Sequence, residues 1–295
     1  MQVTEYRRVH RPMNWKKSSI FIIFMLSIIA LSSCSSESPE YIEGFVFVQG
    51  GYFASTASNL YGRNISVQDF YIGRFQVTQR EWIEVMGDNP SSLQDLDRPV
   101  ERVSWYDAIL FSNMRSIMEG LEPFYNIDKE NEDPNNRSVD DDVRWIVTIN
   151  EGANGFRLPT EVEWEYAASG GQLSRHYVFS GSNDPNDVAW YFRTSGDEFL
   201  TGFWHWPTLD ANNGRTHPVG QKMPNELGLY DMSGNVREWI WCWFGEELDP
   251  TSGWGRVVRG GGWIGSEDAC RIYFRDGLDA HYAFIDLGFR LVRGR

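Results

Sequence analysis

Sulfur and imidazole are scarce in this chain. Of 295 residues only three are cysteine, Cys34, Cys242 and Cys270. Three are too few for a disulfide scaffold, although Cys242 and Cys270 could pair with each other in an oxidising envelope. The five histidines, His10, His176, His205, His217 and His281, show no metal-ligand spacing. Positive charge is also short: 27 Lys and Arg face 41 Asp and Glu, a formal net charge of −14. A domain of that sign is repelled by phosphate backbones, which argues against nucleic acid as a partner. From residue 43 onward there is no repeat of fixed period and no linker rich in Pro, Gly or Ser. One domain of about 250 residues is therefore expected. Aromatics, by contrast, are abundant, with 13 Trp, 18 Phe and 13 Tyr, so the core should be built from large plates.

The amino terminus reads as an address label. Arg7, Arg8, Arg11, Lys16 and Lys17 precede an apolar run at 20–31, the size of a signal-peptide core and too short to span a bilayer. Leu31-Ser32-Ser33-Cys34 then resembles a bacterial lipobox, with Cys34 as the lipid-bearing residue. Removing 1–33 takes away those five basic residues and Glu5, so the mature chain carries −18. Residues 34–42 form a polar, lipidated tether, and 43–295 form the folded domain. The expected location is the cell envelope, lipid-anchored, at the outer membrane and facing outward.

Residues 45–53 read as a hairpin about Gly50-Gly51, and 65–75 as a strand with Phe70, Ile72 and Phe75 inward. Thr78 is a helix N-cap, with a stop at Gly87. Residues 105–118 form a helix with Ala108, Phe111, Met114 and Ile117 on one face. Acidic, Asn-rich 128–142 reads as a solvated loop without the spacing of a twelve-residue calcium loop. A strand at 145–149 and a helix at 161–168, capped by Thr160 with Glu163, complete the regular elements before a long loop region at 170–223.

The last segment, 264–286, follows neither strand nor helix periodicity and lies between strand-like 257–258 and 287–292. Tyr and Phe give rigid contact area at low entropy cost, while Asp, Ser and His give adaptable hydrogen bonds. Ile264, Ser266, Asp268, Tyr273, Phe274, Asp276, Leu278, Asp279, His281, Tyr282, Phe284 and Ile285 are accordingly the candidate ligand-binding residues. Seven of them, Tyr273, Phe274, Asp276, His281, Tyr282, Phe284 and Ile285, are expected to be largely solvent-reachable over a scaffold that includes Trp263, Arg271 and Phe289.

Several phrases resemble the formylglycine-generating enzyme (sulfatase-modifying factor) family: GFRLPTEVEWEYA at 155–167, NELGLYDMSGNVREW at 225–239, Arg259-Gly260-Gly261, and Gly288-Phe289-Arg290. FQVTQREW at 75–82 and PVERVSWYDA at 99–108 fit its opening segments. The resemblance implies an α+β fold of C-type-lectin type, a single domain with little regular secondary structure and many ordered loops. The family's oxidases hold copper on two cysteines in the last segment. Cys270 takes the place of the second, but Gly265 stands at the first, Gly262 replaces a serine and Arg237 a tryptophan. The resemblance therefore implies a non-enzyme with no copper or iron; a metal-dependent oxidase and an envelope lipoprotein with a fixed structural partner are the alternatives. The family's calcium site maps onto Asp231, Gly234, Val236 and Glu238, a hard-oxygen set. Its other reading is Asp231 capping a turn and Glu238 paired with an arginine. A second family site would involve Asp187 and Val188.

A closer resemblance is to variable proteins made by diversity-generating retroelements, a branch that includes a treponemal variable lipoprotein. There the last segment is rewritten at asparagine codons, which never yield Lys, Glu, Gln, Met or Trp. Residues 264–286 obey this except at Glu267. The resemblance implies a surface-displayed, monomeric lipoprotein that binds a protein or other surface ligand through 264–286.

Overall fold

Capping chemistry written in the sequence sets where the helices begin. In the computed structural model, Thr78, Ser104 and Thr160 each accept a hydrogen bond from the backbone N–H three residues on. Glu81, Asp107 and Glu163 each accept one from the cap backbone N–H in return. The helices so capped are α1 (Gln79–Met86), α2 (Trp105–Met118) and α3 (Glu161–Ala168), joined later by two short ones, α4 (Pro185–Val188) and α5 (Trp206–Ala211). Helix α2 does not bury the stripe its spacing suggested: Ala108 and Phe111 are buried, but Met114 and Ile117 are exposed. Ser112 and Ser116 turn inward instead, their hydroxyls bonded to the carbonyls of Ala108 and Ser112. The Ser116 hydroxyl also accepts the Phe156 N–H at 2.8 Å. Small polar residues thus let the chain at 155–156 pass close to the helix.

The structure describes residues 39–53, 65–245 and 251–295, which lie in one unit, Pro39–Arg295. The signal segment and Cys34 lie outside the described residues. The strands are β1 (Phe45–Val48), β2 (Gly51–Phe53), β3 (Ile65–Val67), β4 (Phe70–Gly73), β5 (Tyr125–Glu132), β6 (Trp145–Ile149), β7 (Arg237–Trp243), β8 (Arg256–Arg259), β9 (Arg275–Leu278), β10 (Leu287–Gly288) and β11 (Val292–Gly294). They form sheets ordered β1-β4-β11 and β10-β7-β8-β9, with two-stranded ribbons β2-β3 and β5-β6. The first expected hairpin is absent: β1 pairs with β4, and β2 with β3. Gly50 is the crossing point, its N–H held by the Asp69 carboxylate at 2.8 Å. The acidic loop is also more ordered than expected, since β5 runs into it as far as Glu132 and Asp133, Asn136, Ser138 and Asp141 are buried.

Indole nitrogens tie the layers together. Trp239 donates to the Val103 carbonyl at 2.9 Å and Trp105 to that of Ile240 at 3.0 Å, so large rings are buried without stranding their N–H groups. Two fully buried arginines fix the sheet to its surroundings. Arg259 of β8 reaches Glu161 and Glu165 of α3 at 2.8 and 2.6 Å, and Arg290 pairs with Glu238 of β7 at 2.7 Å. Cys242 and Cys270 are both buried and are not joined to each other, so the alternative of a Cys242–Cys270 disulfide is not realised. Among the described residues no helix is long and apolar enough to cross a membrane.

Candidate binding cleft

Residues 264–286 leave β8 through a left-handed turn at Gly260 and Gly261, with φ of 88° and 69°. A side chain at Gly261 would meet the Ala269 carbonyl at 2.7 Å, so the turn requires glycine. Trp263 is buried, its backbone N–H donating to the Asn235 carbonyl and its own carbonyl accepting from the Ser195 hydroxyl. From there the chain makes a short 3₁₀ turn, Glu267–Cys270, and then β9 at the edge of the sheet. The acidic loop buttresses the chain beyond β9. The Asp141 carboxylate accepts the N–H groups of Ala280 and His281 at 3.2 and 2.9 Å and also bonds the His281 ring. Ser138 donates to Asp279 at 2.5 Å. No sequence pattern marked Ser138 or Asp141 for this work, because their partners are about 140 residues away.

The segment borders a cleft of about 400 Å³. Ile264, Ser266, Phe274, Asp276 and Phe284 line it, together with Gly265 and, from an earlier loop, Trp204. At its base Arg237 holds Asp286 through two hydrogen bonds of 3.1 and 2.7 Å. Tyr282 stacks on Phe284, ring centroids 5.8 Å apart.

Of the twelve sequence candidates, Ser266, Asp268, Phe274, Asp276, Tyr282 and Phe284 are exposed. Ile264, Tyr273, Leu278, Asp279, His281 and Ile285 are half-buried, so of the seven residues expected to be largely solvent-reachable, Tyr273, His281 and Ile285 are only partly so. The reasons are specific. Leu278 packs on the main apolar cluster, Ile264 and Ile285 on a second one around Trp263. Asp279 and His281 are held by the acidic loop, and the Tyr273 hydroxyl accepts from Arg271 at 3.2 Å. Trp263 and Phe289 are buried as scaffold, and Arg271 is ion-paired to Asp268 at 2.8 Å.

Sequence reasoning missed Trp204, which lines the cleft from the other side. Near it in the chain Phe199, Phe203 and Trp206 are exposed as well, Phe203 at 98%. Trp204 is fixed by an N–H bond to the Ile264 carbonyl at 2.6 Å, and the Trp206 ring lies 6.2 Å from that of Trp263. Three aromatics in four residues at 203–206 were the available signal. Large exposed aromatics so grouped mark interaction surfaces.

Gly265 lines the cleft, whereas Cys270 is fully buried in the cluster around Trp263. Burial pushes the Cys270 thiol far up from its ordinary range, as for a thiol packed among apolar side chains. Glu101 is a second perturbed group near the cleft. Its buried carboxyl is pushed up to about 7 by loss of water, with the neighbouring Asp286 charge adding to the shift.

The set expected for calcium converges on one side chain. The Gln76 amide nitrogen lies 3.0 Å from the Asp231 carbonyl, 3.3 Å from that of Gly234, 2.8 Å from that of Val236 and 3.0 Å from Glu238 Oε1. Two N–H bonds cannot serve four acceptors fully. Gln76 Oε1 and Asp231 Oδ1 are meanwhile buried with no hydrogen-bond partner. An all-oxygen set with two orphaned oxygens beside it fits calcium in donor chemistry. Glu238 is also paired with Arg290 and accepts the Trp164 N–H at 2.7 Å, and Asp231 Oδ2 accepts the Gly220 N–H at 2.8 Å. Both features of the other reading, the arginine pair and the turn cap, are therefore present as well.

These features define a mixed helix-and-sheet domain, poor in regular structure, of C-type-lectin-like type. The sulfatase-modifying factor enzyme 1-like domain model matches residues 32–295, and the chain belongs to that family. "Chaperone protein LppX" of Paenibacillus barcinonensis is 49% identical over 278 residues, covering 93% of this chain and 99% of that protein. The formylglycine-generating enzyme of Streptomyces coelicolor is 33% identical over 134 residues, which is 40% of each chain. Among solved structures, Treponema denticola variable protein 1 superposes with a TM-score of 0.69 and 32% identity, over 85% of this chain and 94% of that one.

Proposed function

We propose that this chain is a non-enzymatic envelope lipoprotein that binds a segment of another polypeptide in the cleft beside 264–286. The carrying observation is the cleft itself: Trp204, Phe274 and Phe284, from separate parts of the chain, present exposed rings around one shared space. Apolar walls with a few polar groups suit a peptide side chain. The extensive similarity to a protein named a chaperone supports a polypeptide as the ligand. Lipid on Cys34 would hold the domain at the membrane. The test is binding of an immobilised peptide array by the purified chain, beside its Phe284→Ser and Trp204→Ala variants. Loss of binding in both, with melting temperatures unchanged, is the expected result. Full binding by both variants, or oxygen uptake in the presence of a cysteine-containing peptide, would sink the proposal.

A second reading, that 264–286 is diversified by a retroelement and displayed at the outer surface, draws on the likeness to the Treponema denticola variable protein. It calls for a near-copy of the last segment, with asparagine codons, beside a reverse transcriptase gene downstream. Sister copies with an identical last segment would dismiss it.

A further inference from the structure

We propose that the cleft selects a cationic side chain, a lysine or arginine of the bound polypeptide; this deepens the polypeptide-binding reading and rests on it. The charges that line the cleft do not cancel. Arg237 is matched by Asp286 in a two-bond ion pair, and Arg259 is fully buried against Glu161 and Glu165. Asp276, on the edge strand β9, is exposed, and among the described residues no cation lies within ion-pairing distance of it; its carboxylate accepts the N–H of Gly277 at 2.8 Å. One carboxylate is thus left over in a space walled by aromatic rings.

That combination has a defined preference. Ring faces carry negative charge density and attract an ammonium or guanidinium group, the more so where water is partly excluded. A lysine or arginine stem can lie along Ile264 and Phe284 while its head reaches the Asp276 carboxylate, the usual way long basic side chains divide themselves between apolar and polar surroundings. A neutral aromatic side chain would use the walls but leave Asp276 without a partner, and an acidic one would be repelled. Glu267, exposed and next in sequence to the lining residue Ser266, and the formal charge of −14 on the whole chain act in the same direction at longer range. Arg102, whose N–H bonds the Phe284 carbonyl at 2.9 Å, is the nearby cation that opposes it.

Three fluorescein-labelled peptides test this by anisotropy with the full chain in detergent: a Gly/Ser/Trp dodecapeptide carrying Lys and Arg, and its Gln and Glu counterparts. The basic peptide is expected to bind about tenfold more tightly than the Gln peptide and to weaken severalfold at high salt. Asp276→Asn, an exposed substitution, should remove most of that preference, so that the basic and Gln peptides bind about equally. If the Glu peptide binds as well as the basic one, or Asp276→Asn alters nothing, cationic selection is wrong. Should the Gln peptide still bind and Phe284→Ser abolish that binding, polypeptide recognition survives without it. If no peptide binds, both readings fall together.

Discussion

The Trp263 indole donates to the Ile285 carbonyl at 2.9 Å, joining the two ends of the irregular segment across 22 residues. The residues between them form a loop closed at its base by this bond, while the pairing of β9 with β8 and the Asp141 buttress hold its middle. Trp263→Phe keeps most of the buried ring and removes the hydrogen bond. It should lower stability by about 1 kcal/mol, read as a few degrees in melting temperature, and should loosen amide protection at 264–286. Unchanged exchange rates in that segment would show that the staple is dispensable.

Calcium should enter the Gln76 cluster only if the amide turns end for end, which replaces a shared N–H donor with a fifth oxygen. Wild-type protein is expected to gain melting temperature in millimolar calcium, since a ligand specific to the native state stabilises it by mass action. Gln76→Leu, which supplies neither donor nor ligand, should melt lower and respond less. A calcium response identical in wild type and in Asp231→Ala would remove this cluster as the site.

Glu101 gives the domain a pH signature. Its carboxyl is raised from 4.5 to about 7 by burial, Oε1 accepts the Ser92 N–H, and Oε2 has no partner. Between those two values the folded chain holds a proton that the unfolded chain has released. Stability therefore falls as pH rises through that window and levels off above about 7. Glu101→Gln should flatten this part of the profile. A wild-type melting temperature that climbs steadily from pH 5 to 7 would contradict the assignment.

Membrane attachment is expected to rest on Cys34. Cys34→Ala should leave the melting temperature of the domain unchanged while the chain moves from the detergent phase to the aqueous one. Persistence of the variant in the detergent phase would mean that another segment anchors it.

How much of this was legible in the sequence depends on distance along the chain. Thr78 and Thr160 announced themselves because a capping box is complete within four residues; Ser104 carries the same box and was read only as the end of an extended stretch. The pairing of β1 with β4 did not, because Gly50-Gly51 looks like a tight turn and only the remote Asp69 redirects it. The same holds for the cleft. Phe274, Asp276 and Phe284 belong to a visibly irregular segment, whereas Trp204 joins them from some 70 residues earlier and Asp141 steadies the segment from still farther away. Half-burial of His281 and Ile285 was hidden for that reason, since burial belongs to the partners and not to the residue.

Tyr282 and Phe284 separate binding surface from core. Their exposures are 38% and 39%, whereas Phe289, five residues beyond Phe284, is fully buried and packs edge-on against Phe111 at 5.3 Å. A close-packed ring cannot be cut back without leaving a hole, and large-to-small changes of this kind cost about 3–5 kcal/mol. Phe289→Ala should therefore lower the melting temperature steeply, whatever it does to ligand. At Tyr282 or Phe284 a serine loses a stacked neighbour and little else, and exposed positions usually change stability by no more than about 0.5 kcal/mol. These two variants should melt near wild type, while Phe284→Ser weakens peptide binding about tenfold through lost ring contact in the cleft. Denaturant titration beside anisotropy reads both effects on the same samples. If Tyr282→Ser or Phe284→Ser unfolds the domain, those rings are structural and the cleft loses its claim to be the site.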